Sequence, residues 1–253
     1  YRSYIEFISG TSESEQEEES KNDTNDEDEE EDDDEDKPLS IDVKSFDLAK
    51  LERKNLIGEG SFGVVYEVQD KDLNDIYAAK ISKGEIYECL KKDDETVNLI
   101  REVSILSKLS HPAIMKFIGF SPINFKKSPK PVIITELLKN GTLEDLIEME
   151  RKGLACDEWD FTKKLINIYG IASSLKYLHS LEILHRDLKP SNILVDEFLF
   201  PKLADFGLSK DCLSKSEDCE RVKQTGLLGT PIFIAPEIYE ESKYTKAGDV
   251  YAF

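Results

Sequence analysis

Apolar positions along the chain change their period part-way. From Leu51 to Ile81, short β-rich runs (Asn55 to Ile57, Val64 to Val68, Ile76 to Ile81) are separated by Gly-rich or Asp/Asn-rich turns, as consecutive antiparallel strands require. Between Asp94 and Leu109 the period becomes helical, with Leu99, Val103 and Leu106 on one face. Two further strand-like runs, Ile114 to Ile118 and Val132 to Glu136, precede a long helix. Its Phe161, Leu165, Ile168, Ala172, Leu175 and Leu178 recur as an apolar stripe about every 3.5 residues. Strands first and helices later predict an α+β chain in two lobes, without internal repeats.

One helical position breaks the pattern. Glu102 lies on the apolar face with Val103 and Leu106, where an ionised carboxylate is costly unless a cation faces it. Lys80 is the candidate partner, because on its strand the flanking Ala79 and Ile81 point to the opposite face.

Charge divides the chain more sharply than hydropathy does. Residues 1 to 36 carry 18 acids against Arg2 and Lys21, a net of −16, so the rest of the chain holds only about −4 of the total −20. Residues 12 to 36 contain no aromatic, Leu, Ile or Val, so they cannot bury enough apolar surface to offset the entropy of ordering. A disordered acidic tail over 1–39 is expected, followed by a globular part starting between residues 40 and 48. The tail is expected to be a solvating leader, with docking to basic partners as its alternative.

Cys89, Cys156, Cys212 and Cys219 are scattered, without paired or metal-ligand spacing, which suits reduced thiols in a cytosolic or nuclear protein. No apolar run approaches the length of a membrane span, so no membrane insertion is expected.

Candidate chemistry begins at Gly58-Glu-Gly60-Ser-Phe-Gly63-Val-Val65, between two strand-like runs. Glycines there let backbone N–H groups approach a polyphosphate without a Cβ clash. A dinucleotide-binding fold would need a helix after Gly63, and Val64-Val65-Tyr66 reads as strand instead. Further on come Ile183-Leu-His185-Arg186-Asp187-Leu-Lys189-Pro-Ser-Asn192-Ile-Leu194, then Asp205-Phe206-Gly207, then Ala235-Pro236-Glu237.

Together these segments resemble the protein kinase family over about residues 50 to 253. The resemblance implies a two-lobed kinase fold, with a β-rich N-lobe at about 48–136, a hinge at about 136–141 and a helical C-lobe from about 142. It implies ATP and Mg²⁺ as cofactors and protein serine or threonine as acceptor. Asp187 would orient the attacking hydroxyl and take its proton, while Asn192 and Asp205 would hold the metal. Lys80, held by Glu102, would fix the α- and β-phosphates, and Lys189 would contact the γ-phosphoryl. Ile57, Gly58, Gly60 and Gly63 would cover the nucleotide; Val65, Ala78 and Leu194 would sandwich adenine. Thr135 would sit at the rear of the pocket, and the backbone of Glu136 to Leu138 would bond the base.

Lys189-Pro190 and the Gly229-Thr230-Pro231 run match the serine/threonine form, with Thr230 bridging Asp187 and Lys189. Asn140-Gly-Thr-Leu and Asp249-Val-Tyr lean toward the tyrosine-kinase-like group. His185 would pack under Phe206 with Leu106 and Phe117, and Asp249 would anchor the catalytic-loop backbone. Arg186 before Asp187 resembles kinases whose activation segment is ordered by phosphorylation. Of Ser209, Ser214, Ser216, Thr225 and Thr230, Thr225 is the expected acceptor for an upstream kinase. Tyr1 in place of Met and a terminus inside the central helix predict a fragment with an incomplete C-lobe. A nucleotide-binding pseudokinase and an acidic interaction protein are the competing classes; no specific nucleic acid is implied.

Overall fold

The computed structural model describes residues 45–59, 63–83, 102–211, 229–241 and 244–253. The acidic stretch, Gly60, Leu99, Thr225 and three of the four cysteines fall outside them. The first lobe is one antiparallel sheet of β1 (Leu51–Glu59), β2 (Gly63–Asp70), β3 (Ile76–Ser82), β4 (Phe117–Ser121) and β5 (Val132–Glu136), in the order β1-β2-β3-β5-β4.

Strand alternation gives this sheet two different faces. On the outer face Val68, Ala79, Val132 and Ile134 are buried together with Leu51, under Phe46, Leu48 and Phe125. On the inner face the register sets Val65 opposite Lys80 and Ala78 opposite Thr135. The chain joins the sheet early: Ser45 bridges Phe120 in parallel, and the Phe46 N–H donates to the Phe120 carbonyl.

The fourth strand lies three residues later than the apolar run at 114–118 suggests. Residues 113–115 are used elsewhere: Met115 N–H donates to the Leu203 carbonyl at 2.9 Å and Leu203 N–H to the Ala113 carbonyl at 2.8 Å. These residues therefore tie the sheet to the second lobe, Ile114 bridging Leu203, and pairing with β5 starts only at Phe117.

Residues 102–106 are helical, with Val103, Ile105 and Leu106 buried. The second lobe contains α1 (Leu143–Arg151), α2 (Phe161–Ser180) and the short pairs β6 (Ile183–Leu184) with β9 (Lys210–Asp211) and β7 (Ile193–Val195) with β8 (Pro201–Leu203). It also contains 3₁₀ turns at Pro190–Asn192 and Pro231–Phe233, then α3 (Pro236–Glu241) and α4 (Lys246–Ala252). Helix starts follow side-chain caps: Thr142 and Asp145 form a capping box on α1, and Asp160 accepts from Lys163 N–H on α2. A single buried cluster joins Val103 and Leu106 to Leu175, Leu178, Leu203 and Phe206, so the lobes share a core.

The extent of α2 matches its pattern, but four of the six residues of the expected stripe face the other way. Phe161, Leu165 and Ile168 are 73, 48 and 54% exposed, and Ala172 is exposed as well. The buried face is Ile166, Asn167, Gly170, Ile171, Ser174, Leu175 and Leu178. Polar and small residues occupy it for a reason: Asn167 donates to the Lys163 and Leu199 carbonyls, Ser174 donates to Ile171, and Gly170 lies against Pro201.

Two leucines on α2 test this assignment. Leu178→Ala should lower unfolding free energy by about 2–5 kcal/mol in urea titrations, whereas Leu165→Ala should stay within about 0.5 kcal/mol. Equal costs would mean that the buried face is misassigned.

Candidate active site

The loop between β6 and β7 contains Asp187 in a conformation its sequence does not favour. Arg186 (φ 67°) and Asp205 (φ 58°) both occupy the left-handed region, at a cost of about 1–3 kcal/mol each that surrounding contacts must offset. For Arg186 the contact is Asp249, 3% exposed, which accepts from the His185 and Arg186 N–H groups at 2.9 Å each. His179 Nε2 adds a third donor at 2.9 Å. Burial pushes the Asp249 carboxyl up, but these hydrogen bonds outweigh it and hold the group below its ordinary 3.8. His185 is fully buried, its Nε2 donating to the Ala204 carbonyl and its ring edge-on to Phe206.

Asp187 is surrounded by donors from this chain. Oδ1 accepts from Thr230 N–H at 2.9 Å and Thr230 Oγ1 at 3.0 Å. Oδ2 accepts from Asn192 Nδ2 at 2.9 Å and Lys189 Nζ at 2.8 Å. That fills the roughly four acceptor positions of a carboxylate. Lys189 Nζ also donates to Thr230 Oγ1 at 2.7 Å, closing the ring of contacts. Gly229 makes the approach of Thr230 possible: at φ 102° its backbone lies so close that a Cβ would stand 2.8 Å from the Arg186 carbonyl.

Across the cleft, Lys80 Nζ donates to both Glu102 oxygens, at 2.9 and 3.0 Å. Burial opposes the Lys80 ammonium, but attraction to Glu102 and Asp205 outweighs it and holds the proton on. Burial raises the Glu102 carboxyl, against the pull of Lys80 and with the help of Asp205. Bidentate donation from one ammonium makes this an ionised pair.

Val65, Ala78, Leu138 and Leu194 are half-buried, which suits side chains facing an open cleft, and Thr135 is buried behind them. Leu194 bridges Thr142, which brings β7 against the connection after β5. Ile57 is 49% exposed, and no atom lies within 4 Å of a Cβ built on Gly58, so β1 leaves room beneath it. Gly63 differs: a Cβ there would stand 2.4 Å from the Ile81 carbonyl, so this glycine is required by strand packing as such.

Two oxygen-bearing side chains, Asn192 and Asp205, flank this cleft, brought near each other by Ala204 N–H donating to the Asn192 carbonyl at 2.9 Å. Among the described residues no group of three or more His, Cys, Asp or Glu could hold a metal ion by itself. A carboxylate and an amide oxygen fit a small hard cation that takes its remaining ligands from phosphate and water.

Some participants carry no sequence signal. Lys116 N–H donates to Glu136 at 2.7 Å and Lys202 pairs with it at 3.3 Å, so the hinge carboxylate is braced from β8. His179 and the contact of the Arg186 guanidinium with the Tyr244 ring at 5.2 Å join residues about 60 or more positions apart. Ser209, one of the candidate phosphoacceptors, is 1% exposed and donates to the His185 carbonyl, which removes it from that set.

A family model described as the protein kinase domain matches residues 51–253. The chain is 35% identical over 212 residues to the serine/threonine-protein kinase TNNI3K of Mus musculus, covering 81% of this chain and 23% of that protein. It is 30% identical over 234 residues to the leucine-rich repeat receptor protein kinase EMS1 of Arabidopsis thaliana, covering 86% and 18%. With the calmodulin-binding receptor-like cytoplasmic kinase 3 of the same plant it shares 31% over 221 residues, covering 85% and 40%. The chain thus spans less than half the length of each of these relatives.

Asp249 provides the test of the loop clamp. Asp249→Asn should destabilise by about 2–4 kcal/mol at pH 7, since the amide cannot accept from three donors as a carboxylate does. The folded pKa lies below the unfolded one, so this contribution is complete above 3.8 and is lost as pH falls through the lower folded value. The gap in urea midpoint between wild type and variant should therefore begin to close only below about pH 4; a gap independent of pH would assign the effect to shape alone.

Proposed function

Because the chain belongs to the protein kinase domain family, we propose that it transfers the γ-phosphoryl of ATP to serine or threonine hydroxyls of proteins. The observation that carries this reading is the ring of donors on Asp187, which ties the candidate base to the lysine and threonine expected around a transferring phosphoryl. The serine/threonine kinase relatives support the choice of acceptor.

Each residue has a physical task. The acceptor hydroxyl needs a lone pair on Asp187, and Lys189 Nζ is the donor that can leave, because an arriving phosphoryl oxygen offers it a stronger charge-assisted bond. Oδ2 then accepts from the hydroxyl and takes its proton, while Asn192 and Thr230 keep the carboxylate oriented. Lys80, held by Glu102, binds the α- and β-phosphates at the other end of the cleft. Mg²⁺, held by Asn192 and Asp205, would offset the charge of the phosphates when bound. Val65, Ala78 and Leu194 provide the apolar slot for adenine, Thr135 its rear, and the backbone of residues 136–138 its hydrogen bonds.

Control by an upstream kinase is proposed at Thr225, the acceptor that the family resemblance favours; Ser209 is buried and Thr230 engages Asp187, while Ser214 and Ser216 lie, like Thr225, outside the described residues. Scattered cysteines favour a cytosolic or nuclear setting, and no helix among the described residues is long and apolar enough to cross a membrane.

Transfer of labelled phosphate from ATP to a generic basic protein tests the proposal. Asp187→Asn should lower the rate at least about 10²-fold, with label recovered on serine and threonine and none on tyrosine. Equal rates in the two proteins would exclude the enzyme reading and leave a nucleotide-binding scaffold.

A further inference from the structure

The outer face of the sheet carries a groove unconnected with the cleft. It has a volume of about 200 Å³ and is roofed by the loop between β4 and β5. Its floor includes Tyr66, Ile81 and Phe125, and its rim carries Arg53, Lys83, Lys126 and Lys130. Lys127 adds an exposed cation on the same loop. Two acids on β1 are already matched, Glu52 with Lys54 at 2.7 Å and Glu59 with Lys83 at 3.1 Å. Arg53 lies 4.7 Å from the centre of the Tyr66 ring, which leaves its guanidinium at the rim. The groove is therefore a cationic rim over an apolar floor, on a chain whose net charge is −20.

The counter-charge is concentrated in one place. Asp26 to Asp36 are eleven consecutive acids, and only residues 37–44 separate them from Ser45. Ser45 and Phe46 are themselves placed on β4, and Phe46 belongs to the apolar cluster that contains Tyr66, Ile81 and Phe125. Eight linking residues can span up to about 27 Å, while the four inter-strand spacings of the whole sheet total about 19 Å. The acidic run is thus tethered to the face that bears the groove, within reach of its rim.

We propose that the acidic run Asp26–Asp36 docks in this groove of its own chain, its carboxylates against Arg53, Lys126, Lys127 and Lys130. An apolar floor lowers the local dielectric and strengthens each pairing. The short tether keeps the acids at an effective concentration near the millimolar range, so weak individual contacts suffice. The acidic leader then acts as an intramolecular cover for the outer face, and a competing polyanion would have to displace it. This inference stands on charge and connectivity, independently of the phosphotransfer reading.

Zero-length carbodiimide crosslinking of the full chain, read by mass spectrometry, tests it. Amide links from Lys126, Lys127 or Lys130 to acids within 26–36 are expected in monomeric protein, falling at least about fivefold in 1 M salt, where screening is nearly complete. Links found only in covalent dimers would name a second copy as occupant, and links spread over all exposed lysines would exclude a defined site; either overturns the proposal. As a second arm, a labelled peptide of residues 23–36 is titrated into the full chain and into a full-length variant with all acids of 26–36 changed to Asn. Binding should be at least about tenfold tighter to the neutral-tail variant, because the tethered run no longer competes. Equal affinity for both, or none for either, overturns it: the first result would describe a groove for an acidic partner and the second no acidic site.

Discussion

A buried carboxylate that accepts backbone N–H groups organises the site. Asp249, on a helix more than sixty residues from the loop it holds, takes the N–H groups of His185 and Arg186 and the Nε2 of His179. Only with those groups satisfied can Arg186 remain left-handed, and that backbone turn presents Asp187 to the cleft. The same loop then supplies Lys189 and Asn192 to Asp187, and Gly229 admits Thr230 to complete the set.

The cleft has two walls because the lobes are joined at few but specific points. The ladder between residues 113–115 and Leu203 fixes β8 to the base of the sheet, and the shared cluster around Leu106 and Phe206 fills the space beside it. Lys202, the neighbour of Leu203, reaches Glu136 at the end of β5. Between these ties Val65, Ala78 and Lys80 on the inner face of the sheet are only half-buried among the described residues.

Legibility in the sequence followed the range of the physical signal. Strand period and turn residues placed β1, β2, β3 and β5, and the odd carboxylate on an apolar helix face pointed to the Lys80–Glu102 pair. The motif residues from His185 to Asp205 were assigned by resemblance, and their proximity is what the fold adds. Hydropathy failed on α2, where Asn167, Gly170 and Ser174 are buried while Phe161, Leu165 and Ile168 are exposed. A buried polar residue with its hydrogen bonds made looks, in sequence, like a surface residue. It failed again at β4, because the apolar run from Ile114 to Ile118 reads as strand whichever partner its residues pair with.

The sequence alone therefore determined the family and the order of strands and helices. It could do so because period, turn residues and motif spacing are local properties of the chain. Tertiary structure decided which face of α2 is buried, that β8 rather than β5 takes residues 113–115, that Glu136 is braced by Lys202, and that His179 joins the clamp on Asp249. Those outcomes depend on which hydrogen-bond partners meet across tens of residues, and no local pattern encodes a meeting of that kind.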